Sequence, residues 1–274
     1  MTLQMGATER VRALGREVRA EAAALAADWN GRDAAAWDAP SACRGWAVRD
    51  VAAHLTQGAE RAVVVVRHAL DGTPAPELSP VDRAARAREL RALSGPALAA
   101  RFPRDVDAVF TLLEGASEQA LDTTVTVPAG PHTLLQFATQ RLSEAALHHW
   151  DVRAPTDPRA TLRPEAAALF VDYLMGRMAR MAHVEAPAQR DLTYRFDLEG
   201  PGGGAVTLTI RNGAATATRG APAEAECTVT MPVEGWIRLV WGRLDLARAL
   251  DAGTVRVAGD RERALELPGI FPGH

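Results

Sequence analysis

The chain has 274 residues, of which 47% are hydrophobic and 24% charged, and its formal charge is −3. So even a balance gives no basic face for nucleic acid or an anionic membrane surface, and the length suits one large domain or two of ordinary size. Cys43 and Cys227 stand far apart with no Cys-x-x-Cys, which excludes a disulfide framework and a zinc-knuckle pattern; the chain has no lysine, which excludes Schiff-base and lysine-base chemistry.

The N-terminal stretch carries charges throughout and has no apolar signal core, and the densest apolar run, Ala62 to Val66, is too short to cross a bilayer. The expectation is a cytoplasmic protein. An Ala-rich helix is predicted over residues 7–28, ending at Asn30-Gly31. A second runs from Ala47 to Leu70, with the apolar stripe Val48, Val51, Ala52, Leu55, Ala59, Ala62, Val63 and Val66 and with Asp50 in its first turn. Asp71-Gly72-Thr73-Pro74 ends it. A broken third helix covers 82–116, interrupted at Ser94-Gly95-Pro96. A turn and short extended piece fill 121–132, and a fourth helix spans Thr133 to Val152 before Pro155 and Pro158.

After a further helix over 163–183 the texture changes. Residues 192–198, 205–211, 214–219 and 227–231 read as strands, and Asn212-Gly213 between two of them is a strong hairpin signal. Short helices near 232–241 and 244–250, a strand at 254–258 and a closing helical turn follow. The prediction is an α+β protein: a helix bundle over residues 1–157 and a small α+β domain with its leading helix over 158–274.

The fourth helix holds the chemistry. Leu134 and Phe137 begin an apolar seam, which then continues as Arg141, Glu144, His148 and Asp151 at intervals of three, four and three. Unpaired charges on a buried seam cost several kcal/mol each, of the order of about 3–5. A bound cation offsets that cost, because it needs such donors. Glu144 and His148 share a helix face at i, i+4. A third ligand must come from another helix, and His54, at the edge of the second helix's stripe, is the best candidate; its alternative is a solvent-edge or satisfied core histidine. His68, His132, His183 and His274 are weaker candidates, and His149 falls toward the Ala138/Leu142/Ala145 face, as a core or supporting residue. Two imidazoles and one carboxylate form a catalytic type of set with open positions. Zinc or nickel suits the imidazoles, with iron and manganese left open. Asp151 is placed to orient a ring N–H of His148 and Arg141 to balance Glu144; the alternative for both is an ion-pair ladder along the helix.

The segment WDAPSACRGWAVRDVAAHL (Trp37 to Leu55), through Trp37, Pro40, Ser41, Cys43, Gly45, Trp46, Val48, Asp50, Val51, His54 and Leu55, resembles the N-terminal signature of the mycothiol-dependent maleylpyruvate isomerase family, part of the DinB-like metalloprotein superfamily. RLSEAALHHWD resembles that family's Arg-xx-Glu-xxx-His-xx-Asp element. The resemblance implies a DinB-like four-helix bundle with His54, Glu144 and His148 on a divalent metal, usually zinc. It implies a sterol-carrier-like second domain, supported by Trp241-Gly242-Arg243 and VRVAGD (255–260), in which Arg243 helps bind an acidic substrate; the alternative for Arg243 is a surface pairing with Asp245 or Glu234. It also implies mycothiol as cosubstrate, with Trp46 walling the cleft.

The expected function is a mycothiol-dependent isomerase or S-transferase acting on a small electrophilic or acidic molecule, with neither nucleic acid nor membrane as partner. The metal lowers the pKa of the thiol, and the thiolate adds to a carbon conjugated to a carbonyl. Two alternatives stay open. One is a thiol-independent metal-activated hydrolase or lyase, or a natural-product tailoring enzyme. The other is a non-catalytic metal-dependent module whose second domain holds an apolar ligand. No catalytic role is expected for Cys43 or Cys227.

Overall fold

The computed structural model describes residues 5–128, 130–183 and 191–273. The chain divides into two compact units, Met1–Leu162 and Arg163–His274.

The first unit comprises α1 (Ala7–Gly31), α2 (Ala34–Asp38), α3 (Val48–Leu70), α4 (Pro80–Arg91), α5 (Gly95–Glu114), α6 (Glu118–Leu121), β1 (Thr124–Val127), β2 (Gly130–Thr133) and α7 (Leu134–Arg153). The long helices α1, α3, α5 and α7 close a ring, with α1 and α3 each packed against both α5 and α7. Their stripes of buried residues, such as Val11, Leu14, Val18 and Leu25 on α1, recur at three and four, as a core-facing helix requires. α1 runs past the end expected for it because Trp29 is fully buried, with Trp37 at 6.4 Å and Phe102 at 5.5 Å between ring centroids. The break in the third predicted helix is real: Ser79 caps α4 and Ser94 caps α5. The extended piece resolves into α6 and an antiparallel β1–β2 hairpin.

α7 starts at a capping box. Thr133 Oγ1 accepts from Gln136 N at 3.1 Å, and Gln136 Oε1 accepts from Thr133 N at 2.9 Å. Past its end, Trp150 Nε1 donates to the Ala160 carbonyl at 2.9 Å and Leu162 is buried, so the first unit extends beyond residue 157 to Leu162.

In the second unit the predicted helix over 163–183 is two pieces, α8 (Pro164–Met175) and α9 (Met178–Met181), separated by a turn at Gly176-Arg177. Then come β3 (Leu192–Glu199), β4 (Gly204–Arg211), β5 (Ala214–Arg219), β6 (Cys227–Pro232), α10 (Val233–Val240), α11 (Leu246–Asp251), β7 (Arg256–Gly259), α12 (Arg261–Leu265) and α13 (Leu267–Ile270). The five strands form one sheet in the order β5-β4-β3-β6-β7, with β3 and β6 parallel and the other pairs antiparallel. Asn212 and Gly213 have φ of 50° and 75° in the two-residue β4–β5 turn, the left-handed pair that such hairpins need. Tyr194, Phe196 and Leu198 of β3 and Val229 and Met231 of β6 are buried, and Trp236 and Ile237 of α10 are buried with them. The architecture is α+β, a helix bundle followed by a mixed sheet with helices.

Candidate metal centre

His54 lies on α3 between the fully packed Ala53 and Leu55, at the rim of the buried stripe. Just upstream, the loop 39–47 is pinned into a compact turn. Pro40 bridges to Ala47, Ser41 N donates to Trp46 O at 2.8 Å and Trp46 N donates to Cys43 O at 3.0 Å. Ala42 N donates to Asp151 O at 2.8 Å, tying this loop to the end of α7. α3 itself is started by Asp50, whose carboxylate accepts from Ala47 N at 2.9 Å.

From α7, Glu144 and His148 face that rim. Glu144 Oε2 is 3.1 Å from His54 Nε2 and 3.7 Å from His148 Nε2. His148 Nδ1 is 2.9 Å from Asp151 Oδ2, and Asp151 is 0% exposed. A carboxylate opposite Nδ1 accepts a hydrogen bond from it, which keeps the proton of a neutral imidazole on Nδ1 and leaves Nε2 with a lone pair toward Glu144. Trp46 walls the group, stacked on His148 at 6.0 Å with a 14° interplanar angle and edge-on to His54 at 5.0 Å. Burial pushes the Glu144 carboxyl up; the His54 hydrogen bond and the charges of Arg141, His148 and His54 outweigh it and hold the group at about 2. Glu144 is therefore ionised at neutral pH.

These residues fit a divalent ion. One donor atom from each of His54, Glu144 and His148 lies within 4.8 Å of the others. Donors on one tetrahedral zinc sit roughly 3.3 Å apart for bonds of ~2.0–2.1 Å, so the 3.1 and 3.7 Å separations are of the right size. The set opens on one side: the His54 side chain is 41% exposed, against 9% for His148.

The other expected site residues fall differently. Arg141 is half-buried near Glu144, with its guanidinium 5.3 Å from the Phe137 ring centroid; among the described residues no hydrogen-bonded or ion-paired acid holds it, so the ion-pair ladder does not form at this end of the seam. Asp151 Oδ2 is hydrogen-bonded to His148 Nδ1. His149 is a core residue: its Nδ1 meets buried Glu21 of α1. His68 bonds Thr73 and His132 bonds the Gly130 carbonyl, while His274 lies outside the described residues. In the second unit Arg243 donates to the Trp241 carbonyl at 2.8 Å; Glu234 is engaged by Arg238, and Asp245 caps α11.

Sequence reasoning missed two residues. Cys43 brings its sulfur within 4.8 Å of donor atoms on His148 and Asp151. Glu21, on the predicted first helix, is the buried partner of His149. Glu21 is one charge at a buried helical position, a signal that hydrophobic period alone does carry; the position of Cys43 depends on loop hydrogen bonds that spacing cannot report.

Residues 18–153 match the family described as mycothiol maleylpyruvate isomerase N-terminal domain, and residues 179–272 match the SCP-2 sterol transfer family. The crystal structure of the mycothiol-dependent maleylpyruvate isomerase superposes with a TM-score of 0.64 at 19% identity, covering 94% of this chain and 96% of that one. A mutant of that isomerase gives the same TM-score and coverage at 18% identity. The crystal structure of sterol carrier protein 2 like 2 from Aedes aegypti covers 37% of this chain and 92% of its own, at 17% identity and a TM-score of 0.30. No curated protein matches.

Proposed function

Because the chain belongs to the mycothiol-dependent maleylpyruvate isomerase family, we propose that it is a metal-dependent enzyme that uses mycothiol, or a similar low-molecular-weight thiol, for isomerisation of, or S-transfer to, an electrophilic unsaturated carbonyl compound. The observation that supports this most is the convergence of His54, Glu144 and His148 from two helices with an open side at His54.

His54, Glu144 and His148 would hold the ion, zinc by preference for its imidazole-rich set. A bound divalent ion supplies Lewis acidity, which lowers the pKa of a thiol so that thiolate forms near neutral pH. The chain's own residues do the rest. Asp151 keeps the His148 proton on Nδ1, so that Nε2 stays a donor. Glu144 enters ionised, so no proton need leave it. Trp46 shields one side of the imidazole pair from water and shapes the entrance. The overall reaction is conjugate addition of the thiol, with elimination giving isomerisation and retention giving S-transfer.

Metal analysis of wild type and His54→Ala, with mass spectrometry after incubation with mycothiol and an unsaturated ketoacid, tests the reading. The expected result is about one ion per chain, lost in the variant, and a thiol-dependent product. Metal-replete protein that hydrolyses esters without thiol, or is inert to both, overturns it.

A further inference from the structure

α3 leaves a gap on its inward face. Its buried stripe runs Leu55, Ala59, Ala62 and Val66 at intervals of four, three and four. The two alanines in the middle end at Cβ, where their neighbours carry branched side chains. α5 does not fill the space from its side: Phe102, Val106, Val109 and Phe110 share one face and stop against it. What remains is a cavity of about 20 Å³, closed by Val18 of α1 and bordered by Arg141 and Glu144 of α7. A single water needs roughly 10–15 Å³, so the space suits one group of about that size. Water is a poor occupant. Glu144 is already bonded to His54 at 3.1 Å, and Arg141 is the only other polar side chain of the lining, whereas a buried water makes about two to four hydrogen bonds. A methyl or methylene group needs none, and contact with the apolar lining favours it.

The cavity lies beside the candidate ligands. Leu55 follows His54 in the chain, and Glu144 both lines the cavity and faces His54. α3 and α7 stay close one turn farther on, where a Cβ on Gly58 would stand 2.8 Å from an Arg141 terminal nitrogen. A molecule held at this rim has two directions for its substituents: outward past the part-exposed His54, or inward to an apolar space of fixed depth. Resting on the proposed function, we infer that the unsaturated carbonyl substrate carries a short alkyl arm, methyl or ethyl, that enters the bundle between α3 and α5, with Ala59 and Ala62 setting its length. This gives the substrate class as a short-chain alkyl enone or enal. It places the choice of substituent on α3 and α5, outside the ligand set.

The test is a methyl-detected NMR titration of zinc-loaded full-length protein with saturated ketones, followed at Leu55 and Val106, with metal content as a parallel readout. Butanone, whose ethyl arm reaches the cavity, should bind about 4-fold tighter than acetone, the gain for one buried CH2. Methyl butyl ketone should gain nothing over butanone, because its arm is too long for the space. Ala62→Leu and the milder Ala59→Val fill the cavity and should abolish the difference between acetone and butanone. Val109→Ala deepens it and should let methyl butyl ketone bind about 4-fold tighter than butanone or better, a gain that a poorly folded variant does not give. All variants should keep one ion per chain. Wild type that does not prefer butanone overturns the inference, as does an Ala59→Val protein that keeps the preference; the space is then a packing void. Saturated ketones do not add thiols at carbon–carbon double bonds, so thiol addition to an enone is measured apart. A protein inert to thiol and enone that still sorts the ketones overturns the proposed chemistry and leaves the alkyl subsite standing.

Discussion

His148 and His149 are neighbours in sequence but point to different sides of α7: His148 turns Nε2 to Glu144 at the rim, while His149 meets Glu21 in the core. The helix rotates about 100° per residue, so one imidazole is available to a ligand set and the next is enclosed between α1 and α7. The two therefore separate a candidate ligand from a core contact within a single dipeptide.

Asp151→Asn should test the functional half. The carboxylate is fully buried and accepts from His148 Nδ1 at 2.9 Å. An amide is neutral and can turn its NH2 group to that nitrogen, so it no longer fixes the tautomer. Metal affinity should fall about 10- to 100-fold, the range seen when such supporting carboxylates are lost. Competitive chelator titration measures it, and an unchanged affinity would show that Asp151 does not orient the ligand.

Glu21→Ala tests the structural half. It leaves the ring nitrogen of His149 enclosed without its hydrogen-bond partner, and an unsatisfied buried polar group costs about 1–3 kcal/mol. Urea unfolding should show a loss of that order, while metal content at saturating zinc stays at one ion. A variant that keeps its stability but loses its ion would reverse the division of labour between the two histidines.

Much of this arrangement could be read from residue spacing, and the reasons for the remainder are specific. Leu134, Phe137, Glu144, His148 and Asp151 lie on one helix, where a fixed pitch turns sequence interval into direction, so the seam and its polar continuation were legible. His54 was legible only as a rim position, since its pairing with Glu144 depends on how α3 and α7 pack. Arg141 was expected to balance Glu144, with an ion-pair ladder as the alternative; the structure shows proximity without a bond. Cys43 was opaque because the Ser41, Ala42 and Trp46 backbone bonds that turn its loop toward Asp151 have no periodic signature. In the second unit the strands and the Asn212-Gly213 turn were legible, whereas the parallel pairing of β3 with β6 was not, because nothing in a strand's own alternation names its partner.

Trp46 offers an optical readout of the site. Its ring is 5.0 Å from His54 and 6.0 Å from His148 between centroids. Cobalt or nickel held by those imidazoles should quench its emission, and zinc should change it less. Trp46→Phe should abolish most of the metal-dependent change with stoichiometry preserved. If the full quench survives in that variant, the ion binds beside another tryptophan.

The second unit should unfold more easily in alkali, for a reason seated in the β3–β6 pair. Cys227 and Tyr194 are opposed in register and both are buried. Burial first, then the nearby charges of Asp260, Glu226 and Glu266, pushes the Cys227 thiol up to about 11 from 9.0. Burial likewise raises the Tyr194 phenol, with Glu266 and Cys227 adding to it. Between those two thiol values the unfolded chain has released its proton while the folded chain retains it. The folded state then binds more protons, and stability falls with rising pH. The contribution is intact below 9.0 and is lost progressively as pH rises toward about 11. Urea midpoints followed by the sheet's far-UV signal should drop from about pH 8 to about pH 10.5, more steeply in wild type than in Cys227→Ala, whose slope retains only the tyrosine part. Equal slopes in the two proteins would mean that the thiol ionises as readily in the sheet as in the unfolded chain.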